Sequence, residues 1–295
     1  MISESRKKIN IFGAIALPLL LNIAAIPATS QSLQSLSLND RNHDTGEIYN
    51  QQLASANVGK FQLIYEPNTQ HNSTKQLLQN SGLFERVVNN LNSQNLNLPV
   101  DIPVVFSDCG RANAFYIPLK KEIVMCYELF PRVAQTLTET YSTQEEVELN
   151  SMLVLVFVLY HEAGHALTDV LQLAVTGKEE DAVDDFASIL LLNENDSIAD
   201  RIILNSSIFF FANSADIYWD EHSFGKQRFY NMICLLYGKS PDKYASLKSD
   251  LEGRADRCHN EYQQKLSSWQ RLLAPHSLND SPSSQTSGSH DGIRW

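Results

Sequence analysis

The stretch from Ser142 to His165 restricts the fold more than any other part of the chain. Ser142 with Glu145, and Thr143 with Glu146, both have the spacing of a capping box, so a helix is expected to begin here. It continues through nine consecutive apolar residues, Met152 to Tyr160. A helix that is apolar on every side belongs at the centre of a domain, and nine residues are too few to cross a bilayer. Directly after this run stands His161-Glu162-Ala163-Gly164-His165. Two imidazoles and a carboxylate are costly to bury without partners. The centre of this domain must therefore be organised around whatever those groups hold.

The spacing indicates a metal. Residues four apart on a helix share a face, so His161 and His165 can direct nitrogens at one ion, and Zn²⁺ is the expected ion. Glu162, beside the first ligand, reaches a metal-bound water rather than the metal, which is the position of a general base. A catalytic zinc takes three protein ligands and keeps one position open. Asp169 lies on the face of His165 but another turn along, about 6 Å further off, which makes it a poor third ligand. A turn at Thr176-Gly177 opens a second helix, and Thr176 with Glu179 again has capping-box spacing. Glu179, Glu180 and Asp181 suit the positive end of that helix. Glu180 is the preferred third ligand, with Glu179 the alternative. Asp184, four residues beyond Glu180, can accept a hydrogen bond from a liganding imidazole. His222, in the polar run Asp220-Glu221-His222, is a candidate to stabilise charge on the reacting oxygen.

The rest of the chain sets the context. Residues 1–30 have Arg6, Lys7 and Lys8 ahead of an apolar stretch that ends in small residues at Ala28-Thr29-Ser30, the pattern of a cleaved signal peptide. The expected location is therefore secreted or periplasmic, with no membrane span after cleavage. Residues 31–58, rich in Ser, Gln and Asn, read as a flexible lead-in, and 277–295 as a disordered tail. Residues 59–276 are left as one domain. Four cysteines allow three pairings, of which Cys109–Cys126 and Cys234–Cys258 are the simplest, and export favours disulfides. A formal net charge of −11 without a basic stripe argues against nucleic acid as a partner.

Phe61–Tyr65 alternates like a strand, residues 72–95 have helical spacing, 99–106 read as a second strand, and 113–127 as a hairpin. From Gln144 onward the signals are helical. The expected fold class is α+β, a small mixed sheet followed by a mainly helical part.

His161-Glu162-Ala163-Gly164-His165 followed by Glu180-Asp181-Ala182-Val183-Asp184 resembles the H-E-x-x-H…E-x-x-x-D pattern of glutamate-zincin metallopeptidases. More closely, Phe61 to about Trp269 resembles the metallopeptidase family filed as domain of unknown function 4344. The shared features are Cys109-Gly110, Asn113-Ala114-Phe115-Tyr116, Cys126-Tyr127-Glu128, the HEAGH helix, Gly177 to Asp181, Asp220 to His222, Gln227-Arg228 and Cys234. The resemblance implies a zincin-like fold and bound zinc; the expected peptide or protein substrate comes from the chemistry, since a metal-activated hydroxide beside a polarised carbonyl hydrolyses amides. In zincins an edge strand beside the active-site helix binds the substrate as an added strand, and the Glu122–Cys126 strand is the expected one. Two functions follow: a secreted zinc peptidase, or a non-catalytic, disulfide-stabilised envelope protein with a structural zinc. The presence of Glu162, which a structural site does not need, favours the peptidase.

Overall fold

The computed structural model describes residues 58–278 apart from 68, 194–196 and 215–217. The proposed signal peptide, nearly all of the lead-in, and the tail beyond Leu278 lie outside the described residues.

Four strands form one mixed sheet in the order β1 (Phe61–Tyr65), β2 (Ile102–Ser107), β4 (Glu122–Cys126), β3 (Ala114–Ile117). β1 and β2 are parallel, as are β2 and β4, whereas β3 and β4 form the antiparallel hairpin. The crossover from β1 to β2 carries α1 (Asn72–Ser81) and α2 (Leu83–Ser93). The helical spacing over 72–95 is thus divided between two helices. Gly82 breaks it, at φ 58°, with its N–H on the Gln79 carbonyl, a left-handed helix ending that glycine adopts without a Cβ clash.

The order of the sheet corrects the expected edge. β4 is internal, and the exposed edge of the hairpin is β3. The burial pattern gives the reason. Ile123 to Cys126 are all buried, as a strand covered on both faces requires, whereas every residue of β3 is half-exposed.

α3 (Leu129–Leu137) leads to α4 (Gln144–Val170), the central helix. Of the two possible caps the chain uses Thr143. Its hydroxyl accepts from the Glu146 N–H, and the Glu146 carboxylate accepts from the Thr143 N–H. By length and composition α4 passes for a membrane span, but 89% of its most apolar window is buried within the fold. It is a core helix. Its buried Asn150 is satisfied by Arg201 and Asn205 at 2.9 and 3.0 Å, both from α6 (Ser197–Ala212).

Against α4 pack α5 (Glu179–Asn193), α6, and in turn α7 (Gly225–Lys239) with α9 (Ala255–Leu273), α8 (Lys248–Leu251) lying between them in the chain. Disulfides join Cys109 to Cys126 and Cys234 to Cys258, the two close-spaced pairs. The first fastens the loop before β3 to the end of β4. That loop is also held by Glu128, whose carboxylate accepts from the Cys109 and Gly110 N–H groups. The second links α7 to α9.

α9 meets α5 through Phe186 against Trp269 and through the Asp185–Lys265 ion pair. Burial raises the Asp185 carboxyl from 3.8 to about 6, against the pull of Lys265. Folding therefore favours its protonated form. The stability this contributes is complete below the unfolded pKa of 3.8 and is lost as pH rises through about 6. Asp185→Asn should accordingly gain on the wild type between acid and neutral pH, by up to about 3 kcal/mol. Urea denaturation of both proteins at the two pH values measures this, and an identical difference at both would refute it.

Candidate metal centre

The last turns of α4 carry His161, Glu162 and His165, and α5 returns across them. The approach is close because residue 164 is glycine. A Cβ there would lie 2.8 Å from the Val183 Cβ and 3.1 Å from the Phe186 ring. With α5 seated this near, Glu180 reaches between the histidines. Its Oε2 is 3.1 Å from His161 Nε2, and its Oε1 is 3.4 Å from His165 Nε2. One ligand atom from each of these three residues lies within 4.8 Å of the others, a group able to hold a metal ion. His222 comes to the same carboxylate, its Nε2 3.0 Å from Glu180 Oε2.

The outer nitrogen of each imidazole is occupied by a carboxylate. His161 Nδ1 meets Asp184 at 2.8 Å, His165 Nδ1 meets Glu179 at 2.7 Å, and His222 Nδ1 meets Asp220 at 3.0 Å. A carboxylate on Nδ1 fixes the proton there and turns the Nε2 lone pair inward. Glu179 and Glu180 therefore occupy different places. Glu180 lies on the inner nitrogens, while Glu179, expected in a cap with Thr176 or as the alternative ligand, stands on the outer nitrogen of His165. Asp184 is itself gripped by Arg228 of α7, through Nε and Nη2 at 2.7 Å each, and the guanidinium stacks 3.5 Å above the Phe210 ring.

The charges follow from this packing. Burial works against ionising Glu180, yet the three imidazoles outweigh it and hold the carboxyl far below the usual range. Burial likewise disfavours protonated His165, but Glu180 and Glu179 raise it to about 9. Glu162 is only 6% exposed, and burial raises its carboxyl above the ordinary value.

The fit to a metal can be judged from one atom. Glu180 Oε2 is buried and forms no hydrogen bond of acceptable geometry, although two imidazole nitrogens lie near 3 Å from it. A buried carboxylate oxygen that makes no hydrogen bond, set between the Nε2 atoms of His161 and His222 with Oε1 turned to His165, is what such a donor set leaves when its members are arranged around an ion rather than for each other.

These groups lie in a cleft of about 910 Å³. Asn113 and Ala114 to Tyr116 of the edge strand line one wall, His161, Glu162 and His165 lie within it, and Glu221 and His222 also line it. Every proposed site residue is thus brought together, with Asp184 behind His161. Asp169 stands apart from the ion-binding group, as its extra turn requires, and bonds to the hairpin instead. Sequence reasoning gave no role to Arg228 or Asp220 and misplaced Glu179. Only the carboxylate need of Arg228, and the charge need of a buried Asp184, hint at their pairing.

No curated protein and no solved structure matches the chain. The family model DUF4344, described as "Putative metallopeptidase", matches residues 65–273. That span contains the whole histidine–carboxylate cluster, the hairpin and all four cysteines, and the chain belongs to this family.

Proposed function

We propose that the chain is an exported zinc-dependent peptidase of zincin-like fold, its catalytic domain spanning residues 59–276. One observation carries the reading: Glu180 sets an orphaned Oε2 beside the inner nitrogen of His161 and its Oε1 beside that of His165, and the outer nitrogens of both histidines are each held by a carboxylate. His161, His165 and Glu180 would hold the ion. When bound there, zinc lowers the pKa of a coordinated water toward neutrality and polarises a carbonyl. Glu162 takes the proton of the attacking water and delivers it to the leaving amine. His222, oriented by Asp220 on Nδ1 and favoured in its doubly protonated form chiefly by Glu180, donates from Nε2 to the carbonyl oxygen as negative charge builds on it. Asp184, fixed by Arg228, keeps the His161 ring in its liganding orientation.

The substrate is a peptide or protein, as the family implies. The open edge of β3 supports an extended binding mode. Cys126 N–H donates to the Asn113 carbonyl at 3.1 Å, and Phe115 stands opposite Val124, so alternate residues of this strand face β4. The main-chain groups of Ala114 and Tyr116 then point outward, where an added strand can pair. Two disulfides are those of an oxidising compartment, in keeping with the signal-peptide pattern of residues 1–30.

The test is the metal content of the purified mature protein and of its His165→Ala variant. About one zinc per chain in the first and none retained in the second is expected, since three ligands are the minimum of such a site. A wild-type protein that takes up no zinc would overturn the reading.

A further inference from the structure

Asp169 was set aside as a ligand, and the structure gives it other work. It lies four residues beyond His165 on α4, one turn past the ion-binding face. Its Oδ2 accepts from the Tyr116 hydroxyl at 2.6 Å and from Lys121 Nζ at 2.7 Å. Tyr116 belongs to the edge strand, and Lys121 closes the turn between β3 and β4. Lys121 takes a left-handed backbone, φ 55°, uncommon for a residue with a side chain and a source of local strain. Tyr116 and Asp169 both line the cleft.

The bonds are firmly formed. Burial opposes ionisation of Asp169, but Lys121 and Tyr116 more than compensate and keep its carboxyl below the ordinary value. Burial, then Asp169, holds the Tyr116 hydroxyl protonated well beyond its usual range. The opposite end of the hairpin is fixed independently by the Cys109–Cys126 disulfide. The edge strand is therefore pinned at both ends, and at one of them the pin is the same helix that presents His161 and His165.

We propose that Tyr116, Lys121 and Asp169 are positioning residues: they set the distance between the substrate-pairing edge of β3 and the metal-binding face of α4, and so determine which peptide bond of a bound chain is cut. This rests on the peptidase reading. An extended chain advances about 3.3 Å per residue, so a small displacement of the edge changes which carbonyl reaches the site.

The experiment uses the full mature protein, zinc-loaded, and its Tyr116→Phe and Asp169→Asn variants. Three quantities are read: zinc content, the products of digesting a random peptide mixture by mass spectrometry, and amide hydrogen exchange of residues 113–117. Zinc content should be unchanged. Exchange in the strand should accelerate, kcat/KM should fall about tenfold or more, and new cleavage positions should appear. Tyr116→Phe keeps the ring and its packing, so it reads the clamp even if Asp169→Asn folds poorly. A wild type that cuts none of the mixture would overturn the peptidase reading and this proposal together. A cleaving wild type whose folded variants keep the same products and the same exchange would overturn the positioning role alone.

Discussion

Glu162→Gln should lower peptide hydrolysis by about 10²–10⁴-fold while zinc stays bound at the wild-type level. Gln matches the carboxylate in shape and cannot accept the proton of the attacking water. Glu162 is not among the three residues whose ligand atoms converge, so the ion should not notice the change. Nor should the fold. The residue is 6% exposed and burial already disfavours its charge, so a neutral amide in its place removes a cost. The decisive pairing is activity against metal content in one preparation. A variant that keeps both would mean that some other group takes the proton. A variant that loses both would make Glu162 part of the metal site rather than the base beside it.

Much of this arrangement was legible because it depends on short-range geometry. The capping residues Thr143 and Glu146, the hairpin over 113–127, and the shared face of His161 and His165 are set by spacings of three, two and four along the chain. The two disulfides followed the shortest loops. What stayed hidden depends on one element crossing another. Glu179 and Glu180 are adjacent, and only the angle at which α5 meets α4 puts one on the outer nitrogen of His165 and the other between the inner ones. Arg228 lies 44 residues beyond Asp184, on a helix whose path no local pattern reports. The exposed edge was misassigned for a different reason. Ile123-Val124-Met125-Cys126 is an unbroken apolar run, which suits an internal strand, and preceding the helical part in sequence does not make a strand the edge in space.

Gly164→Ala should loosen the metal site without touching a ligand. The added methyl would stand 2.8 and 2.9 Å from the Cβ and Cγ1 of Val183, and the first of these is fixed to the α5 backbone. No rotamer of Val183 moves its Cβ away, so α5 itself has to shift. Overpacking of this kind costs about 1–3 kcal/mol, against a gain of about 1 kcal/mol from placing alanine rather than glycine inside a helix. Global stability should therefore change little or fall by at most about 2 kcal/mol. The metal site should suffer more, because Glu180 is one turn before Val183 and reaches His161 and His165 only while α5 sits close. A loss of about 10–100-fold in zinc affinity is expected, comparable to removing a partner of a ligand. Competition with a chelator measures the affinity, and thermal unfolding of the metal-free protein measures the fold. Val183→Gly supplies the control. It removes both Val183 atoms that the new methyl would meet, so the double variant should recover affinity relative to Gly164→Ala alone, a coupling that two independent sites would not show. Wild-type affinity in Gly164→Ala would mean that the spacing of α4 and α5 does not govern how Glu180 meets the histidines.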